Sequence, residues 1–330
     1  MDFVTVEGPA RLRDVSFNFI SQYPEIKELE KGIPYKEFYY HSEMRKKDVE
    51  FRLLKIITET KDHADFLVRN CPLTLSLNRY PDILPYKDTV VSLASHNYIN
   101  ASFIDSSLAF TENMFIATQA PLKSSTSAFW SMIWEYNVEL IIMICCINEN
   151  GMPKCDEYFP EETSLTCENF QICVENSTQI YSGLFQRLFK IINSNTLEIK
   201  FVTHLHGKSW PDQGVPKIKD EFHSIEHIIQ SIKNARLMQP QCKIAVHCSA
   251  GIGRTGMLIG IYNMIVALEE MIEYDIQNST NLARVSVFGT TRRLREQRWG
   301  MVSNEKQYKF MYKYIEYWIT SYLVSQANLL

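Results

Sequence analysis

The sequence predicts a mixed-sheet domain of the α/β or α+β class, with helices flanking the sheet. Three observations carry that expectation. The composition is globular over 330 residues, short β-branched apolar stretches alternate with segments of helical spacing, and residues 243–268 form a strand, a small-residue loop and an apolar helix in direct succession. Apolar residues at 45% and charged residues at 22% exclude a disordered or collagen-like chain. No repeat, low-complexity segment or Gly/Ser-rich linker divides it, so a single large domain is expected.

In chain order, residues 1–70 read as helices joined by turns. Within them 43–59 sets Val49, Phe51, Leu53, Leu54 and Ile57 among Arg and Lys, a spacing closer to helix than strand. Strands are expected at 98–104, 114–117, 140–147, 171–174, 186–192, 197–205 and 243–247, because these are short, apolar and often alternating. Helices are expected at 125–136, 219–236, 254–274 and 304–323. Arg292, Arg293, Arg295 and Arg298 read as a solvated helix face rather than a site for acidic peptides.

A net charge of −4 gives no support to a general nucleic-acid or anionic-membrane surface, so any strong anion site must be local. The longest uninterrupted apolar run, 140–147, falls far short of the roughly 18 residues of a membrane span, and no span is expected. Met1-Asp2-Phe3-Val4 lacks a secretory pattern and the C-terminus carries no lipidation motif, so the expectation is a cytoplasmic protein, and a monomer. Asn176-Ser177-Thr178 and Asn278-Ser279-Thr280 have the form of glycosylation sequons, which such a chain does not use. Eight cysteines in a reducing compartment are expected to be free, buried and small. None forms a C-x-x-C pair, so no structural metal is expected, and no cofactor is expected either.

One cysteine departs from that reading. Cys248 follows the strand 243–247 and opens the loop Cys248-Ser249-Ala250-Gly251-Ile252-Gly253, after which Arg254-Thr255-Gly256 begins an apolar helix. Small residues let successive backbone N–H groups turn inward, and a helix N-terminus adds more unpaired donors, so the unit is built for an anion. A dinucleotide fingerprint fits Gly251-Ile252-Gly253-Arg254-Thr255-Gly256 in form, but leaves Cys248 and Arg254 without a role. A nucleoside-triphosphate loop fails because no Gly-Lys-Ser/Thr follows. A loop wrapped around a tetrahedral oxyanion uses every residue: a thiolate from below, a guanidinium fork from the side, and amides that also lower the thiol pKa.

The segment His247-Cys248-Ser249-Ala250-Gly251-Ile252-Gly253-Arg254-Thr255-Gly256 resembles the catalytic loop of the cysteine-dependent, phosphotyrosine-specific protein tyrosine phosphatases of non-receptor type. Other blocks resemble that family in its order: Asn78-Arg79-Tyr80-Pro81-Asp82, Tyr98-Ile99-Asn100-Ala101-Ser102-Phe103-Ile104, Ile116-Ala117-Thr118-Gln119-Ala120-Pro121, Phe129-Trp130, Lys154-Cys155 and Trp210-Pro211-Asp212-Gln213-Gly214-Val215-Pro216, preceded by His204-Leu205-His206. The resemblance implies a highly twisted mixed sheet in one catalytic domain at 46–325, with 1–45 as a helical extension that matches no motif.

It also implies roles. Cys248 is the nucleophile, Arg254 binds the phosphoryl oxygens, Thr255 donates to the sulfur, and Asp212 serves as general acid and then base. Ser249, Ala250, Gly251, Ile252 and Gly253 wrap the phosphate. Tyr80 lines a deep cleft that favours phosphotyrosine over phosphoserine, and Asp82 holds substrate backbone amides. Proteins or peptides bearing phosphotyrosine are therefore the implied partners, and the neutral loop argues against inositol lipids. His247 orients the loop, Trp210 belongs to a hinge, and Glu149 and Lys154 keep the acid and catalytic loops in register; His204 and His206 are structural. The pattern departs at Ser303, where the family has a water-positioning glutamine, which leaves Gln307 for hydrolysis of the phosphocysteine. It departs again at Leu77, at Lys87-Asp88-Thr89-Val90, and at Ala120 and Ala128. These changes keep open an alternative, a phosphotyrosine-binding pseudophosphatase.

Overall fold

Leu140, Ile142 and Ile144 enter one buried cluster while Ile141, Met143 and Cys145 enter another, the alternation of a strand covered on both faces. In the computed structural model of the chain, which describes residues 23–59, 67–68, 71–106, 111–211, 214–216 and 219–327, that strand lies inside an eight-stranded mixed sheet. The N-terminal part comprises α1 (Pro24–Lys31), β1 (Ile33–Pro34), α2 (Phe38–Met44), α3 (Lys47–Thr58) and the short turn α4 (Pro72–Leu75). Next come β2 (Ala101–Ser106), β3 (Thr111–Thr118), α5 (Thr126–Glu135), β4 (Val138–Met143) and the two-residue pair β5 (Asn148–Glu149) and β6 (Met152–Pro153). A meander follows, β7 (Ser164–Cys167), β8 (Phe170–Tyr181), β9 (Leu184–Asn193) and β10 (Ile199–Gly207). The chain closes with α6 (Lys219–Met238), β11 (Lys243–His247), α7 (Gly253–Asn278), β12 (Arg284–Val285), α8 (Val287–Gln297) and α9 (Glu305–Ala327).

The strand order is β2-β3-β11-β4-β10-β9-β8-β7. The inner neighbours β3, β11, β4 and β10 run parallel, with Ala245 opposite both Ile116 and Ile141, while the flanking pairs are antiparallel. β11 therefore ends at the carboxyl edge of the parallel core, where open α/β sheets place their ligand crevices. Phe129, Trp130, Met132 and Ile133 of α5 cover one face. Residues of α3, α6, α7, α8 and α9 join Ile244 and Val246 in the cluster on the other. α7 has the length and hydropathy of a membrane-crossing helix, but residues 253–265 are buried on every side, so it is the central helix of this core.

Most expected elements form, with ends moved by a few residues. The strand expected at 140–147 stops at Met143, because after it the chain turns into the β5–β6 pair. β7 was not expected from the pattern, and α8 was expected only as the helix face of its arginines. α8 also corrects the reading of its arginines as a solvated face: Arg292, Arg295 and Arg298 are buried, each with its donors satisfied. Arg292 pairs with Glu30 at 2.6 Å, and Arg295 donates to the carbonyls of Met301 and Val302. A guanidinium can be buried where several fixed acceptors meet its fork.

Residues 24–44 are joined to the same body. Ile26, Ile33, Tyr35 and Phe38 lie in the core cluster that holds α7 and α9, and β1 pairs antiparallel with β12. Gly32, at φ +75°, passes so close to Val285 that a Cβ there would sit 2.3 Å from its carbonyl oxygen.

Candidate active site

The loop from Cys248 to Ile252 is shaped from outside by the partners of its carbonyls. The Cys248 carbonyl accepts from His247 Nδ1 at 3.1 Å and that of Ser249 from the Ala120 amide at 2.9 Å. Arg298 donates to the carbonyls of Gly251 at 2.9 Å and Ala250 at 3.2 Å, and the Ile252 carbonyl takes the amides of Gly256 and Val302. In a planar trans peptide the next N–H points opposite to the carbonyl. With the carbonyls of 248–252 turned outward, the amides of Ser249, Ala250, Gly251, Ile252 and Gly253 turn toward the concave side, an anion nest continued by the N-terminus of α7. Two glycines permit the close approach. Gly251 has φ +70° and a Cβ there would lie 2.0 Å from the Thr118 carbonyl oxygen; one at Gly256 would lie 2.6 Å from the Val302 amide nitrogen.

Cys248 and Arg254 are both buried beneath this nest. Burial alone would push the Cys248 thiol up. The Arg254 guanidinium, the Thr255 hydroxyl and the amides of Thr255 and Gly251 outweigh it and hold the thiol below its usual value. Among the described residues the Thr255 hydroxyl meets no other polar partner, and it helps hold the Cys248 thiol down. Burial opposes the charge on Arg254, but Cys248 and Glu149 more than offset it. Glu149 takes Nη1 at 2.6 Å and Nη2 at 3.2 Å, a bidentate pair that fixes the plane of the fork, and the Trp210 carbonyl takes Nη1 at 2.9 Å.

The remaining residues named from the sequence sit around this pair. The Tyr80 hydroxyl bonds Ser249 Oγ at 2.8 Å, and Ser249 Oγ in turn donates to the Lys154 carbonyl at 2.8 Å. Asp82 is exposed on the same recognition segment, which Arg79 ties to the carbonyls of Ala120 and Pro121. Trp210 is buried at the start of the acid segment; Asp212 and Gln213 lie outside the described residues. Ser303 Oγ donates to Gln307 Oε1 at 3.1 Å, and both side chains abut Gly253, where a Cβ would lie 2.6 Å from Ser303 Oγ and 2.9 Å from Gln307 Nε2.

His247 Nδ1 faces a carbonyl and so carries the proton, which leaves Nε2 to accept from the Tyr158 hydroxyl at 2.8 Å. Tyr158 in turn accepts from His204 Nε2 at 2.9 Å, while His206 Nε2 donates to the Cys145 carbonyl. Burial pushes His247 down to about 4 and His206 to about 3, so both are neutral at pH 7. Two contributors escaped the sequence reading. Arg298 was placed on a solvated face, and Tyr158 carried no signal of its own.

A family model for Protein-tyrosine phosphatase matches residues 74–317. The chain is 35% identical over 252 residues to human tyrosine-protein phosphatase non-receptor type 20, covering 76% of this chain and 56% of that protein. It is 34% identical over 268 residues to Gallus gallus receptor-type tyrosine-protein phosphatase S, covering 78% of this chain and 16% of that one. The chain thus spans about half of the first and a small fraction of the second. Among solved structures, the catalytic domain of human protein tyrosine phosphatase non-receptor type 18 superposes with a TM-score of 0.73 at 27% identity, covering 86% of this chain and 99% of that one. The chain belongs to the protein-tyrosine phosphatase family. Its fold is that of the family's catalytic domains, a mixed twisted sheet between helices.

Proposed function

We propose that this chain hydrolyses phosphotyrosine in proteins and peptides through a phosphocysteine intermediate. The observation that carries the reading is a thiol held below its usual value beside a buried guanidinium, under a loop whose carbonyls face away from it. Cys248 attacks phosphorus, so that an S–P bond forms as the bond to the tyrosine oxygen breaks. Arg254 and the amides of 249–253 hold the phosphoryl oxygens in the transition state. Asp212 protonates the departing tyrosine oxygen, then takes a proton from the water that cleaves the S–P bond and releases phosphate. Thr255 stabilises the sulfur as it leaves, and Gln307, carried beside Ser303, positions that water.

Tyr80 and Asp82 supply the aromatic wall and the hold on the peptide. Ser249 ties Tyr80 to the loop, Lys154 and Glu149 link the loop to its neighbours, and Trp210 couples Arg254 to the acid segment. A related structure is described as PTPN18 in complex with HER2-pY1196 phosphopeptides, which supports a peptide-borne phosphotyrosine as the substrate here. The catalytic domain is placed at 46–325, with 1–45 as its N-terminal extension, in a cytoplasmic, monomeric protein without a cofactor.

Purified chain is expected to hydrolyse an aryl phosphate, to lose turnover at least about 1,000-fold in Cys248→Ser, and to drop about 100-fold or more in kcat with binding retained in Asp212→Ala. Absence of turnover in the wild type, with Asp212→Ala making no difference, would instead favour a binding module.

A further inference from the structure

Cys145 and Cys155 lie in different segments, one just after β4 and the other just after β6, and neither belongs to a spacing that predicts metal. The fold nevertheless gathers them with His247, the last residue of β11. Their two sulfurs and a ring nitrogen of His247 lie within 4.8 Å of one another, and all three side chains are buried. Neither cysteine has a part in the proposed hydrolysis. We propose that Cys145, Cys155 and His247 form a binding site for one thiophilic divalent ion of the zinc class, outside the phosphate nest but joined to it through His247.

Geometry, tautomer and charge each support the site. An ion centred among atoms no more than 4.8 Å apart lies at most about 2.8 Å from each, so shifts of at most about 0.5 Å at the sulfurs and about 0.8 Å at the nitrogen reach zinc–thiolate and zinc–imidazole lengths of about 2.3 and 2.0 Å. His247 is already in the tautomer that a ligand needs. Its Nδ1–H donates to the Cys248 carbonyl, the outer hydrogen bond that metal-bound imidazoles usually make, and the Nε2 lone pair is turned to the side occupied by Tyr158. Tyr158, whose hydroxyl reaches that Nε2, belongs to the same buried cluster as Cys145 and Cys155. Two thiolates balance a divalent charge, so the loaded site is neutral, as a buried site must nearly be.

Loading requires no oxidant or reductant. Burial and contact with Cys155 push the Cys145 thiol well up. The ion replaces two thiol protons, which leave to solvent, and forms two metal–sulfur bonds and one metal–nitrogen bond. The Tyr158 hydroxyl gives up His247 Nε2 in the process. The ion's occupancy is then felt at Cys248, because the same ring holds the outward carbonyl of that residue.

The test uses the full chain as Cys248→Ser, stripped with chelator and titrated with Cd2+ alone. This substitution removes the acidic thiolate of the phosphate nest, so the result does not depend on the hydrolytic reading. A thiolate-to-cadmium ultraviolet band is expected to saturate at one equivalent, with about two protons released per ion and a raised melting temperature. Adding Cys145→Ala or Cys155→Ala is expected to remove at least half of the band and the thermal shift. No band at one equivalent in folded Cys248→Ser protein overturns the site, and so does a band that survives both alanine substitutions. If an alanine variant fails to fold, band and proton count in Cys248→Ser still decide.

Discussion

The two sides of the loop Cys248–Ile252 each carry a buried arginine, and the two are used in opposite ways. On the concave side Arg254 has a carboxylate partner, Glu149, and sits beside a thiol, so its charge is matched by anions. On the convex side Arg298 meets, among the described residues, neutral acceptors: the carbonyls of Ala250 and Gly251, Asn100 Oδ1 and Ser102 Oγ. Burial pulls Arg298 down to about 10, though it stays charged at neutral pH. This pairing polarises the loop. A cation that holds carbonyls outside forces N–H groups inside, so the convex guanidinium prepares the concave one's anion site without touching it.

The largest effect is expected on the concave side. Arg254→Lys keeps the charge but not the planar fork that Glu149 grips, and turnover of an aryl phosphate is expected to fall by about 1,000-fold with little change in melting temperature. On the convex side the balance reverses. Arg298→Met leaves two buried carbonyls without a donor, at a cost of about 3 kcal/mol or more, so thermal unfolding should move down by several degrees while turnover falls less than in Arg254→Lys. Equal losses of activity in the two variants, with no thermal shift in Arg298→Met, would show that Arg298 contacts the reacting groups after all.

Acid sharpens the same contrast through the histidines behind the loop. An ordinary histidine titrates near 6.5, whereas His247 is held to about 4 and His206 to about 3. Their folded values are depressed, so the unfolded chain binds more protons below 6.5, and stability present above 6.5 is lost as pH falls toward 4. Denaturant midpoints between pH 7 and 5 should decline, and less so in His206→Gln; a flat profile would argue against buried neutral imidazoles. The smallest effect is expected at the rim, where Ser303 holds Gln307 Oε1. Ser303→Gln should speed phosphoenzyme breakdown a few-fold, read as a smaller burst relative to the steady state, and an unchanged burst would assign that step to Gln307 alone.

Much of this architecture is legible in the chain. β11, the Gly-rich turn and α7 follow from an apolar pentapeptide, a run of small residues and a long apolar helix, all local signals. Cys248 and Arg254 stand out because loop, helix terminus and fork belong to one continuous segment. The burial of Arg292, Arg295 and Arg298 was hidden because they carry the pattern of a solvated helix face, and the acceptors of Arg295 and Arg298 come from 58–59, 100–102, 250–251 and 301–302. Tyr158 was hidden for the same reason: a tyrosine reads as core until two histidines from other strands are found against its hydroxyl.

The sequence by itself determined the fold class, the anion-binding turn and the family, since these depend on periodicity and on short contiguous motifs. The tertiary structure alone decided which buried polar groups face one another. It set Arg298 against the loop's carbonyls, Glu149 against Arg254, and Cys145 with Cys155 beside His247. The physical reason is that burying a charge or a thiol is governed by the partners that reach it, and those partners arrive from strands and helices far apart in the chain.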